Sequence, residues 1–140
     1  MVSNDKLKRK FIQLDGYLEV LEKVADISEK VFLKDKIVIG SAKYYLQVSI
    51  ECCLDVANHI IAAERFRAPE DYADSFAILE ENDIYTGDLC QKLMQMAKFR
   101  NRLVHLYGEI DNSYVYKFLH KDLDDIRAYR KTLMERYKLV

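Results

Sequence analysis

The stretch KIVIGSAKYYLQVSIECCLDVANHIIAAE, residues 36–64, decides the fold class. It contains no proline and one glycine, and its apolar residues recur at helical spacing rather than in the alternation of a strand. Leu46, Ile50, Cys53, Ala57, Ile60 and Ile61 share one face. Gln47, Glu51, Asp55 and His59, each four residues apart, form a separate polar stripe. A helix this long with one apolar side must bury that side, and the neighbouring sequence supplies further helices to bury it against.

Working toward the N-terminus, Asp26 to Asp35 breaks the pattern and reads as a loop with a short turn. Before it, Leu7, Phe11, Leu14, Leu18 and Leu21 recur at alternating steps of four and three, a heptad-like seam reaching Val24. Ser3 or Asn4 can cap that helix, because a short side-chain oxygen accepts an orphan backbone N–H. Toward the C-terminus, Pro69 interrupts helix formation. A short helix is predicted over Asp71–Glu80, with Tyr72, Phe76 and Leu79 on one side. Asn82-Asp83 and Thr86-Gly87-Asp88 bracket a turn. Leu89, Leu93, Met96 and Phe99 or Arg100 then mark a fourth helix with a Thr or Asp cap. Gly108 is expected as a left-handed residue closing it. The last helix starts near Asp111 or Asn112 and carries Val115, Leu119, Ile126, Tyr129, Leu133 and Tyr137. The expected fold is all-α, an up-and-down bundle of four long helices plus a short one, forming a single domain over residues 1–140.

Composition agrees. Four glycines and one proline in 140 residues leave little turn chemistry for a protein of many short strands. The formal charge of −1, from 22 basic and 23 acidic residues, neither recruits nor repels nucleic acid as a whole. RNA contact must come from local clusters, and Lys6–Lys10 and Lys98–Arg102 are the candidates; a solvated helix face is the plainer reading of the first. Cys52, Cys53 and Cys90 offer neither a paired disulfide framework nor a C-x-x-C spacing, and read as reduced, buried small hydrophobes. The polar start Met1-Val2-Ser3-Asn4-Asp5 has no apolar leader pattern, and no run of about 18 apolar residues suggests a membrane span. A cytoplasmic protein without a membrane partner is expected.

Two constellations could carry chemistry. Glu51, Asp55 and His59 form a carboxylate–carboxylate–imidazole row on one helical face. Di-iron bundles need Glu-x-x-His pairs from several helices, and none occurs here, so intrahelical pairing on a solvated face is expected rather than a metal site or any cofactor. The other is Arg100-Asn101-Arg102-Leu103-Val104-His105-Leu106-Tyr107. At about 100° per residue, Arg100 and His105 point roughly 140° apart on a straight helix, while Asn101 and His105 are neighbours. Either the helix ends before His105, or two chains face each other and complete a site. An imidazole titrating near about 6.5 can take a proton from a ribose 2′-hydroxyl, whose oxygen then attacks the adjacent phosphorus. A guanidinium holds phosphate oxygens through parallel hydrogen bonds. Arg100 is the first choice for that role, with Arg102 adding to the field. The structural alternative is an Arg and a His that cap carbonyls and complement the macrodipole.

Arg100-x4-His105-x-Tyr107 resembles the R-x4-6-H motif of the HEPN superfamily, and the tyrosine two residues after the histidine resembles its HepT-like toxin branch. Phe99 to Tyr107, and Leu46 to Glu51 followed by Asp55 and His59, are similar to that branch's motif block and second helix. The resemblance implies a homodimeric helical bundle with motifs meeting in a cleft. It implies a metal-independent endoribonuclease, the toxin of a type II toxin–antitoxin pair, with Arg100 and His105 as catalytic residues. Asn101, Arg102, Glu51 and Asp55 would support them, the two carboxylates by orienting Arg100 or His105. It further implies a minimal nucleotidyltransferase antitoxin that neutralises the toxin by binding or by transferring AMP to Tyr107. A non-catalytic, nucleotide-binding helical subunit of such a nucleotidyltransferase is the alternative, and a plain helical dimer a third.

Overall fold

The computed structural model describes residues 1–139. Its described residues form six helices: α1 (Asn4–Ala25), α2 (Glu29–Phe32), α3 (Lys36–Ala63), α4 (Tyr72–Glu81), α5 (Gly87–His105) and α6 (Asn112–Arg136). The four long helices and short α4 match the expectation, and the expected turn between Asp26 and Asp35 contains the single turn of α2.

Each start has a local cause. The Ser3 hydroxyl accepts the N–H of Lys6 at 3.3 Å, and Asp35 Oδ1 accepts those of Ile37 and Val38 at 3.0 and 3.1 Å. Asp71 and Asp111 cap α4 and α6 in the same way. Thr86 occupies the cap position of α5, but its side chain makes no capping bond.

The ends differ from the sequence expectation. No glycine has a positive φ, and Gly108 is not left-handed. Helix α5 stops at Leu106, whose N–H bonds to the Arg102 carbonyl at 2.8 Å, and Glu109 N–H then closes a turn on Leu106. The left-handed residues are instead Arg65, Asp83 and Lys138, just past α3, α4 and α6. Each is followed by an apolar residue whose N–H reaches back five positions: Phe66 to Ile61, Ile84 to Leu79 and Leu139 to Met134. These are Schellman ends with a side chain where glycine is usual. The apolar residue after each one anchors the turn: Ile84 and Leu139 are buried and Phe66 packs on the core.

Cross-helix pairs fix the topology. Lys10 meets Asp55 and Ser3 meets His59, so α1 runs antiparallel to α3. Arg100 meets Glu51 and Tyr107 meets Lys43, so α5 is also antiparallel to α3. Arg127 and Arg130 of α6 reach Glu22 and Asp15 of α1, giving the alternating order of an up-and-down bundle. Helix α3 is central, packing on α1, α4, α5 and α6. It is long and apolar enough to cross a membrane by length and composition alone, but most of its apolar side chains are core residues of the bundle. The seam of α1, the apolar face of α3, and Val115, Leu119, Ile126, Tyr129 and Leu133 of α6 are all buried. The buried Tyr129 hydroxyl donates to the Cys53 carbonyl at 3.0 Å, linking α6 to α3. The three cysteines are free and buried.

Candidate active site

Helix α5 carries the motif, and α3 and α4 give it its surroundings. Arg100 turns toward α3, where Glu51 Oε2 accepts from Nη2 at 2.5 Å and from Nε at 3.0 Å. Nη1 donates to Asn101 Oδ1 at 3.2 Å, and the guanidinium lies 4.8 Å from the centroid of the Tyr72 ring. The Arg100 side chain is only 15% exposed, so this pairing is shielded from solvent and geometrically defined. Gln47, one turn before Glu51, donates to the same carboxylate at 3.4 Å. Three of a guanidinium's five N–H donors are thus taken, and the others remain for an anion.

His105 is the last residue of α5 and is exposed. A break before it, one of the two ways of reconciling the motif with helical geometry, does not occur. Arg100 and His105 stay on one regular helix and do not converge within a single chain. Asn101 connects them: it is bonded to Arg100 and lines an open groove of about 430 Å³ with His105, Asn58, Tyr72 and Ser75.

The other expected residues separate. Arg102 turns to α6, its guanidinium 5.4 Å from the Tyr114 ring, and lies off the groove that His105 lines. Asp55 orients neither Arg100 nor His105; it is paired with Lys10 of α1 at 3.1 Å, because the stripe winds around α3 toward α1 as it advances. His59, further along, accepts the Ser3 N–H at 3.1 Å and is lowered from its usual pKa by burial, with Lys6 and the N-terminal ammonium adding to the effect. Among the described residues, no three His, Cys, Asp or Glu side chains are grouped so as to hold a metal ion. Tyr107, half-exposed after the end of α5, leans on the first turns of α3. Lys43 Nζ sits 4.4 Å from its ring centroid and donates to its carbonyl at 2.9 Å. Burial lowers the Lys43 pKa. A Cβ at Gly40 would lie 3.9 Å from the Tyr107 hydroxyl.

Tyr72 and Lys43 are functional candidates absent from the sequence reading. Tyr72 shares a helical side with Phe76 and Leu79, yet at the first turn of α4 it extends past the core and is exposed. The signal for Lys43 was present: a lone lysine in the otherwise apolar and aromatic run from Ala42 to Leu46.

Residues 14–133 match the family model described as Ribonuclease HepT-like. The chain belongs to the HepT-like ribonuclease family. A 97-residue segment is 31% identical to the mRNA nuclease HepT of Shewanella oneidensis and covers 69% of each chain. A putative RNase of Archaeoglobus fulgidus is 30% identical over 72% of this chain and 77% of its own. Among solved structures, the tri-AMPylated HEPN toxin of Shewanella oneidensis, in complex with its MNT antitoxin, superposes with a TM-score of 0.87 at 26% identity, covering 95% of this chain and 99% of that one. A toxin–antitoxin structure with AMP-PNP gives 0.86 at 25% identity, covering 94% and 98%. The motif resemblance and the all-helical fold therefore agree: this HepT-like chain is an RNA-cleaving enzyme of the HEPN toxin class.

Proposed function

We propose that the chain is a metal-independent endoribonuclease, acting in the cytoplasm as a toxin, whose Arg100 and His105 operate in a cleft between two copies. The observation that carries this is the Arg100 constellation. Its guanidinium is held by Glu51, Asn101 and Tyr72 beside the groove that the unencumbered His105 lines. An imidazole accepts the proton of a ribose 2′-hydroxyl as the 2′-oxygen–phosphorus bond forms and the bond to the 5′-oxygen breaks. The products are a 2′,3′-cyclic phosphate and a 5′-hydroxyl, whose oxygen takes up a proton. Arg100, already positioned, meets the charge developing on the phosphate oxygens without having to reorganise.

Helical geometry supports the dimer, since Arg100 and His105 diverge on one α5 and a second motif facing the first supplies the missing partner. Val104, Leu106 and Tyr44 are exposed apolar side chains on α3 and around the end of α5, a surface suited to that contact. Tyr107 is the proposed control point, by analogy with the AMPylated toxin it resembles. A nucleotidyltransferase antitoxin transferring AMP to this half-exposed phenol places a nucleotide and a negative charge near the motif, which excludes an RNA phosphate.

Purified chain free of adenylate is expected to cleave RNA and arrest growth. His105→Ala and Arg100→Ala abolish both while melting near the wild-type temperature. If the unmodified protein neither cleaves RNA nor arrests cells, the reading is wrong. Mass spectrometry of chain co-expressed with its antitoxin is expected to find the adenylate on Tyr107.

A further inference from the structure

The basic cluster at the start of α1 is not absorbed by the site above, and it lines a cavity of its own. Between α1 and α3 lies a groove of about 420 Å³ whose walls include Lys6, Arg9, Lys10, Gln13, Asp55 and His59. Lys6, Arg9 and Lys10 stand three and four residues apart, so one face of α1 presents all three cations to the groove. Against them stands one carboxylate, Asp55, paired with Lys10 through side chains that are 41% and 57% exposed. Such a pair is weak in water and easily re-formed around another anion. Arg9 reaches only the Asp5 carbonyl, at 3.4 Å. His59 uses Nε2 to accept the Ser3 N–H and adds no positive charge.

The groove lies next to the candidate active site, on the other side of α3. Glu51, which holds Arg100, and Asp55, which lines the basic groove, are one turn apart on the same stripe of α3, about 6 Å along the axis. Asn58, seven residues from Glu51 and nearly eclipsed with it, lines the His105 groove, while His59 lines the basic one. A ridge of α3 thus separates two adjoining grooves, one lined by His105 and one with three cations against a single carboxylate.

We infer that the α1–α3 groove is an RNA-backbone site: Lys6, Arg9 and Lys10 bind phosphates of the single strand flanking the bond to be cut. A positive groove beside a catalytic cleft tracks a strand without reading its bases, and suits a chain whose overall charge does not attract nucleic acid. The inference rests on the ribonuclease reading, but its test is binding and needs no turnover.

The experiment measures fluorescence anisotropy of a labelled single-stranded oligoribonucleotide on full-length His105→Ala protein, with and without Lys6→Gln, Arg9→Gln and Lys10→Gln. Each phosphate contact to a single strand contributes about 0.7 to the slope of log K against log salt. Three lost contacts therefore make the variant's affinity roughly 20-fold less sensitive to salt between about 50 and 200 mM. Exchanging Lys for Arg and Arg for Lys at the three positions should restore affinity and slope. Lys30→Gln with Lys34→Gln and Lys36→Gln removes equal charge from exposed positions elsewhere and should do little. Lys6→Gln with Arg9→Gln spares the Lys10–Asp55 pair and should give an intermediate slope, which guards against a loss of fold. Unchanged RNA affinity and slope in the triple variant overturns the inference, including the case in which it loses only an acidic protein partner. An equal loss in the matched variant does so too. Groove-dependent binding by a protein that cleaves nothing would leave this inference standing and sink the ribonuclease reading.

Discussion

Replacing Asp122 with Asn should remove one specific loss of stability between acidic and neutral pH, the one that a buried carboxyl causes when it ionises. Asp122 lies on α6 with no exposed surface, and neither carboxylate oxygen has a hydrogen-bond partner. Burial pushes its pKa from 3.8 up to about 8, with Lys121 opposing and Asp125 adding to the shift. From α3, Cys53 feels the same charge. Lys121 is itself engaged by Asp125 at 3.0 Å and does not hydrogen-bond to Asp122. Because the folded-state pKa is raised, folding takes up a proton between 3.8 and about 8. The stability is full below the lower value and is lost as pH rises through the window. Each pH unit inside the window is worth about 1.4 kcal/mol, so this one group removes about 2–3 kcal/mol between about pH 5 and 7. Asn keeps the shape and cannot ionise. Urea unfolding of both proteins across this range should show the wild type losing that much more than Asp122→Asn. Parallel pH profiles would refute the assignment of a buried, proton-binding carboxyl.

Glu51→Gln keeps the size of the side chain but removes the charge holding Arg100. Cleavage kcat should fall about 10–100-fold, equivalent to roughly 1.4–2.7 kcal/mol of transition-state stabilisation, with KM little changed and partial recovery in Glu51→Asp. Steady-state kinetics on a short RNA would show this, and an equal loss in a protein with a lowered melting temperature would mean a merely structural role. Arg65→Gly relieves a left-handed residue at the end of α3 and should stabilise the fold by about 0.5–1 kcal/mol in denaturant titration. Tyr129→Phe removes the hydroxyl's bond to the Cys53 carbonyl, which keeps its own helical partner in α3, and should cost about 0.5–1.5 kcal/mol by the same method.

What could be seen in the sequence was whatever a helical period carries. The seam of α1 and the apolar face of α3 were legible because burial demands one residue type at each turn, and Leu7 to Val24 and Leu46 to Ile61 supply it. The Asn101–His105 neighbourhood followed from the same period. Helix ends were less legible, because Arg65, Asp83 and Lys138 do what a glycine search looks for, and the apolar residue after each provides the anchor. The polar stripe of α3 was seen as a unit, but its members answer to different helices, Glu51 to α5 and Asp55 to α1. Spacing along one helix cannot say which neighbour flanks each turn. Tyr72 was misread for a related reason: its period matched the core, but its place at the start of α4 put it beyond the core's edge and over Arg100.

The most direct test of the central claim is to incubate adenylate-free protein, with chelator present, with an RNA and with the same strand carrying a single 2′-deoxyribose at the cleaved position. The expected result is cleavage of the RNA to a 2′,3′-cyclic phosphate and a 5′-hydroxyl, none at the deoxy position, and none by His105→Ala. Cleavage of the deoxy strand at that bond, or undiminished cleavage by His105→Ala, would contradict it.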